Sequence, residues 1–305
     1  MPLARPAPKG RTLVLDRRTT RRFFLLRPDA DRRSQRIYLY LLAVLAQKHG
    51  ILVHGFIQMS SHHHLVVTDV RGVFPEFIHD LHGALAMCFK CHRNWDEEVW
   101  NKSQTGRIDI ETVEAAIEQV AYVVTNGIEA GMVERVEDFP GAIVLPEQMG
   151  RWSVTLRRPD IPWLVSKDTW PAAATLEVPL VPMLVDELGE AGARAAIQNA
   201  VDERSQELRA KRAEEGLGYL GAEAVCSAPV TTRSKKKEPL RSRRPTFAVG
   251  RGNPEAYRRK VKELRAWRAA YYECLRRWKA GERDFLWPAD TWKMRVLHGV
   301  KCVPS

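Results

Sequence analysis

The sequence predicts an α+β fold, an antiparallel sheet with helices packed on it, followed by a mainly helical, basic C-terminal region. Three observations carry this. Between Arg11 and Gly131, short apolar β-forming runs and helical-period stretches alternate in the order strand, helix, two strands, helix, strand, helix. Beyond Phe139 prolines recur at 140, 146, 159, 162, 171, 179 and 182, which marks a change of module. From Arg233 to Lys279 there are 17 Lys/Arg against four Asp/Glu, a local balance of +13 that exceeds the net +11 of the whole chain.

At 305 residues with 45% hydrophobic content, the chain suits two domains of ordinary size. The longest apolar candidate, Ile37 to Ala46, is about half the roughly 18 residues needed to span a membrane. The N-terminal segment lacks an apolar signal core. Five cysteines form no even or regular framework, which points to a reducing compartment. These features lead to the expectation of a cytoplasmic, nucleoid-associated protein. The basic block calls for a polyanionic partner, and nucleic acid is favoured over membrane because no large apolar face accompanies it.

Along the chain, residues 1–10 are Pro-rich, basic and expected to be loose. A strand begins at Arg11, and Arg17, Arg18, Arg21 and Arg22 follow as candidates for phosphate contact, with a solvated turn as the competing reading. Asp29 and Asp31 offer capping oxygens to a helix carrying Ile37, Leu41, Leu42 and Leu45, which ends at Gly50. Ile51 to Met59 and the run from His62 form two strands joined at Ser60-Ser61. Pro75 opens a second helix running to near Trp95, and short strands are expected at Glu98 to Trp100 and at Arg107 to Ile110. Thr112 caps a third helix that ends near Gly127 or Gly131. After the Pro-rich stretch a helix is expected from about Val185 to Ala213, then a flexible segment over about 214–250. Asn253 and Pro254 start the last long helix.

The chemistry centres on His62-His63-His64. Side chains alternate along a strand, so His62 and His64 point one way and His63 the other, under a helix. Two imidazoles on one face can bind a single metal ion, although three consecutive histidines also suit a solvated surface. Tyr122 and Asn126, four apart on the third helix, share a face. A phenol with a pKa near 10 is a poor nucleophile at neutral pH. It becomes effective against a phosphodiester when a metal polarises the phosphate, and the Asn126 amide oxygen could complete the shell begun by the histidines. Taken alone, Tyr122 also reads as a core residue. The run Cys88-Phe-Lys-Cys91-His92 matches a haem-attachment pattern, but it lies within an amphipathic helix and lacks a second pair for zinc.

Together these residues resemble the single-tyrosine HUH transposases, in particular the REP-associated tyrosine transposases, over roughly Arg11 to Phe139. The family's strand reads Met-Pro/Ser-Asn-His-x-His-Leu, and here it is Met59-Ser60-Ser61-His62-His63-His64-Leu65. Its catalytic helix carries a tyrosine shortly before Asn-Pro-x-x-Ala-Gly, and here Tyr122-Val-Val-Thr-Asn126-Gly-Ile-Glu-Ala130-Gly131 stands in that place. Ser61 replaces an asparagine, His63 a bulky apolar residue, and Gly127 a proline; Gly127 is expected to loosen the helix end and Ser61 to weaken the turn before His62.

The resemblance implies a ferredoxin-like core, single-stranded or hairpin DNA as substrate, Tyr122 as nucleophile, and His62, His64 and Asn126 as ligands of Mg²⁺ or Mn²⁺. Imidazole ligands favour Mn²⁺. The resulting domain plan is a flexible 1–10, a catalytic domain over 11–145, a Pro-rich connector over 146–184 and a helical basic accessory region over 185–305. Further DNA contacts are expected from Lys235, Lys236 and Lys237 and from Arg258, Arg259 and Lys262 on the last long helix. Its Tyr and Trp residues either stack on bases or pack in a core. The function implied is nicking and strand transfer through a 5′-phosphotyrosine, by a monomer or homodimer. The alternative is a non-catalytic DNA-binding or regulatory protein derived from a transposase.

Overall fold

The computed structural model describes residues 4–102, 105–234 and 246–304. Strand β1 (Arg11–Arg18) leads to helix α1 (Arg33–His49), then to β2 (Ile51–Gln58), β3 (His62–Asp69), helix α2 (Phe74–Arg93), β4 (Gly106–Ile110) and helix α3 (Val113–Val124). A short α4 (Asn126–Glu129) continues α3 after a break at Thr125. The hairpin β5 (Ser153–Arg157) and β6 (Ala173–Glu177), with α5 (Pro162–Val165) in its loop, precedes the long α6 (Pro182–Glu214). There follow α7 (Ala222–Ser227), β7 (Phe247–Ala248), α8 (Pro254–Lys279) and α9 (Trp292–His298).

The main sheet has the order β2-β3-β1-β4-β7, antiparallel except for the parallel β4–β7 pair. Helices α1 and α2 cover the face to which His63 points, since Tyr38 of α1 and His82 of α2 both touch its ring. Helix α3 lies on the other face, where Tyr122 meets His64. The expected strand at Glu98 to Trp100 is reduced to a single bridge between Trp100 and Thr19.

Local chemistry sets the element ends. The Asp31 and Asp29 carboxylates accept from the Arg33 and Ser34 amides (3.0 and 3.1 Å), satisfying donors at the start of α1. Gly50, in the left-handed region at φ 66°, ends that helix. Asp69 at the end of β3 accepts from the amides of Val73 and Phe74 (3.0 and 2.7 Å) and so starts α2.

Three expected boundaries differ. Residues 4–10 are not loose, because Ala7 is buried and its amide donates to Asp290 O (2.9 Å), while Arg5 donates to Arg107 O (3.1 Å). The Pro-rich 146–184 stretch folds as the β5–β6 hairpin, whose Thr175 O accepts from Gln47 of α1 (2.7 Å). The core runs without interruption from the sheet into Leu164, Leu176, Ile197, Val201 and Val225, so no break falls at 145 or 185. Residues 214–234 are likewise anchored: Leu220 N donates to Gly131 O (3.0 Å), and Phe24 N donates to Val230 O (3.0 Å). A second cluster at the C-terminus buries Tyr271, Cys274, Trp287 and Met294, with Trp267, Trp278 and Phe285 packed on it. On α8 the core reading thus holds for Tyr271, with Trp267 and Trp278 partly buried against the cluster, whereas Tyr257 and Tyr272 are exposed. No helix among the described residues is long and apolar enough to cross a membrane.

Candidate active site

The register of β1 against β3 places Asp16 opposite His64 and Arg18 opposite His62. Directly paired residues of antiparallel strands share a face. Asp16, Arg18, His62 and His64 therefore face α3, while Arg17 and His63 face α1 and α2. The His62 and His64 rings are 5.0 Å apart and nearly perpendicular. The Tyr122 ring stands edge-on to His64 at 5.4 Å. Asn126 begins α4 just after the break and donates from Nδ2 to Tyr122 O (2.7 Å), which turns its amide oxygen away from that carbonyl. His62, Tyr122 and Asn126 line one cleft of about 650 Å³, and His64, 4% exposed, lies beneath against the tyrosine ring.

This donor set fits a divalent ion through nitrogen and amide oxygen only. Among the described residues no group of three or more His, Cys, Asp or Glu is placed to hold a metal. A centre here would therefore use two imidazoles and the Asn126 amide, a neutral set suited to an ion that also takes its charge partners from substrate phosphate. Ser61 Oγ lies 3.2 Å from His62 Nδ1, a contact that orients that ring. Ser61 O also accepts from Thr19 N and Oγ1 (2.8 and 3.0 Å), so the turn before His62 is tied rather than weakened. Gly127 is likewise no loose point: a Cβ there would lie 3.0 Å from the Phe139 ring, and Met132 N donates to Gly127 O (2.9 Å).

Burial raises the Tyr122 pKa above its usual value, with Glu129 and Asp16 adding to the rise. A hydrogen bond to Asn126 and the charge of Arg18 oppose it. The phenol is thus protonated at neutral pH. Two contributors were not legible as site residues. Asp16 lies across β4, where a Cβ at Gly106 would fall within its carboxylate. Arg204 of α6 stacks its guanidinium 5.4 Å from the Tyr122 ring centre, donates from Nε to Thr125 Oγ1 (2.9 Å) and pairs with Glu129 (2.9 Å). It clamps the helix break between Tyr122 and Asn126 from a helix about 80 residues away in sequence. Only the period-two spacing of Asp16 and Arg18 hinted at the first, and nothing local marked Arg204.

His63 has a different role. It is 0% exposed and bonded through Nδ1 to Tyr38 Oη (3.1 Å) and through Nε2 to His82 Nε2 (3.0 Å). Burial pushes its pKa down to about 3, and burial holds His82 well below its ordinary value too. Both rings are therefore neutral. His82 Nδ1 reaches Thr105 Oγ1 (3.4 Å), to which Arg17 also donates (3.3 Å). The Cys-x-x-Cys-His run is structural: Cys88 is buried, Cys91 is exposed, and His92 pairs with Asp29 (2.6 Å).

Of the basic candidates, Arg18 and Arg22 line the Tyr122 cleft together with Arg204, Lys211 and Arg212 of α6. Arg17 lies on the opposite face, and Arg21 lines a separate surface depression with Lys90 and Glu97. Arg258, Arg259 and Lys262 are exposed on α8 and do not line the cleft. Lys235, Lys236 and Lys237 lie outside the described residues.

No family model matches the chain, and no curated protein matches it. Among solved structures the chain is similar to a REP-associated tyrosine transposase bound to a REP hairpin. The match has 17% identity over 46% of this chain and 81% of that one, at a TM-score of 0.39. It is also similar to a putative transposase from Deinococcus radiodurans R1, with 20% identity over 41% of this chain and 97% of that one, at a TM-score of 0.29.

Proposed function

We propose that this chain nicks and rejoins single-stranded DNA beside a hairpin, in a transposition-like or repeat-processing reaction, with Tyr122 as nucleophile. The observation that carries the reading is the convergence of Tyr122, His62, His64 and Asn126 on one cleft within one chain, beneath a wall of arginines. The β-α-β-β-α-β order, with α1 and α2 on one face of the sheet, supports a ferredoxin-like core of the HUH type.

In this reading Arg18, Arg22, Lys211 and Arg212 draw the strand's phosphates into the cleft. A divalent ion, Mg²⁺ or Mn²⁺, held by His62, His64 and Asn126 would supply positive charge to the phosphate oxygens. Tyr122 Oη attacks the phosphorus, the bond to the 3′-oxygen breaks, and the phenol's proton ends on the departing 3′-hydroxyl. The 5′-phosphotyrosine keeps the energy of the broken ester, so a 3′-hydroxyl can attack it and rejoin a strand. Because Tyr122 lies against His64 of its own chain, one molecule carries all four groups.

The test is incubation with hairpin-containing single-stranded DNA and Mn²⁺, a REP hairpin first, followed by denaturing electrophoresis for a covalent adduct. Wild type is expected to form it and Tyr122→Phe is not. An equal adduct in Tyr122→Phe removes the nucleophile assignment. DNA and metal binding without adduct across varied hairpins leaves the non-catalytic DNA-binding reading in its place.

A further inference from the structure

A second cleft, of about 570 Å³, opens on the face of the sheet that carries His63, away from Tyr122. Its floor is apolar, from Phe74, Pro75 and Ile78 of α2, and its walls include Trp100 and, from the C-terminal α9, Trp292. Arg5, Arg17, Arg107 and Lys293 line it, and no Asp or Glu does so among the described residues. Arg107 is paired with Asp109 (2.5 Å). Among the described residues the hydrogen bonds of the others go to neutral groups: Arg5 donates to Arg107 O and Arg17 to Thr105 Oγ1 and Asn101 O, while Lys293 is exposed. Burial lowers the pKa of Arg17, and burial together with the charge of Arg107 lowers that of Arg5. Positive charge is thus gathered around a cleft with no carboxylate among its described lining residues, beside apolar α2 side chains and two indoles. The Tyr122 cleft, by contrast, contains Glu129 and Glu215.

Aromatic rings that accept a planar base, with cations for the attached phosphate, are what single-stranded nucleic acid requires. We propose that this second cleft seats one unpaired nucleotide of the bound DNA strand, its base against Trp100 and Trp292 and its phosphate against Arg5, Arg17 and Lys293. The assignment rests on the reading of DNA as the substrate. It gives a role to the ordered C-terminal tail, which is held against the N-terminal arm by Ala7 N donating to Asp290 O (2.9 Å) and Arg268 donating to Ala4 O (3.1 Å). The two chain ends together close the cleft.

Gly83 offers a clean block. It lies on the exposed side of α2, lines the cleft, and a Cβ there would meet nothing within 4 Å. Gly83→Leu fills the cleft while improving helix propensity, so the fold is retained. The probes are a blunt hairpin and the same hairpin with a short single-stranded oligothymidine tail carrying one 2-aminopurine, read by fluorescence and anisotropy. Wild type is expected to bind the tailed hairpin more tightly and to change the 2-aminopurine signal at one tail position. Gly83→Leu and Lys293→Glu are expected to weaken tailed binding by about tenfold and to abolish that signal, while blunt binding by Gly83→Leu stays the same.

Wild-type behaviour of Gly83→Leu on the tailed hairpin overturns the proposal, as does an equal loss on the blunt one. Competition by deoxythymidine 5′-monophosphate with no effect of the tail also overturns it and assigns the cleft to a free nucleotide. The Tyr122 adduct is scored separately. A tail signal without adduct keeps this cleft and removes strand transfer, whereas adduct without a tail signal does the reverse.

Discussion

His63 and its two neighbours are the same residue type in the same strand, yet they occupy two different environments. His62 and His64 face a cleft lined with arginine and bring their rings to a tyrosine; His63 is sealed between α1 and α2 in a neutral chain with Tyr38 and His82. The strand's period of two separates them, and the helix on each face decides what each can do. A ligand needs an open nitrogen and a partner across a cleft, whereas a core imidazole needs both nitrogens bonded, because a buried unpaired polar group costs about 1–3 kcal/mol.

This contrast is sharpened first by Tyr122→Phe, which should lower adduct formation by on the order of a thousandfold or more while hairpin affinity changes little. Next, His64→Ala should remove Mn²⁺ binding, measured by calorimetry, and slow the adduct by about a hundredfold. His63→Ala should instead cost about 2–4 kcal/mol of stability in urea titration and leave Mn²⁺ affinity nearly unchanged. If His63→Ala abolishes metal binding without loss of stability, the two-face assignment is wrong.

A pH titration examines the buried imidazoles of both faces. Burial pushes the pKa of His54 down to about 4, against a bond to Pro179 O that works the other way, and His82 is also depressed by burial. Both are neutral in the fold but take a proton near pH 6.5 when unfolded, so the unfolded state binds more protons below that pH. Stability should fall as pH drops from about 6.5 towards 4, by up to about 1.4 kcal/mol per pH unit for each histidine. A flat urea midpoint between pH 7 and 5 contradicts this. The smallest effect expected is that of Arg204→Met, an approximately tenfold slower adduct at saturating DNA with unchanged hairpin affinity, partly restored by Arg204→Lys.

Much of the first 131 residues was legible because its signals are local. Gly50 ends a helix, Asp29 and Asp31 supply capping oxygens, and alternation sorts the histidine triplet, all within a few residues of sequence. The single helix expected through Asn126 is instead broken at Thr125, where Arg204 holds the Thr125 hydroxyl. The regions expected to be connector and flexible accessory segments were the least legible. Proline and polar content describe a chain's local stiffness, but they do not reveal that Leu176, Ile197 and Val225 extend the same core.

The sequence by itself determined which side chains could do chemistry here and on which side of a strand or helix each would stand, because those periodicities follow from backbone geometry. The tertiary structure alone decided that α6 would bring Arg204 to Tyr122, that α8 would bury Tyr271 and Cys274 against the C-terminal segment, and that the two chain ends would meet at a second basic cleft. Such contacts join residues tens to hundreds of positions apart. Their specificity comes from the fit of whole surfaces, which no short pattern of residues contains.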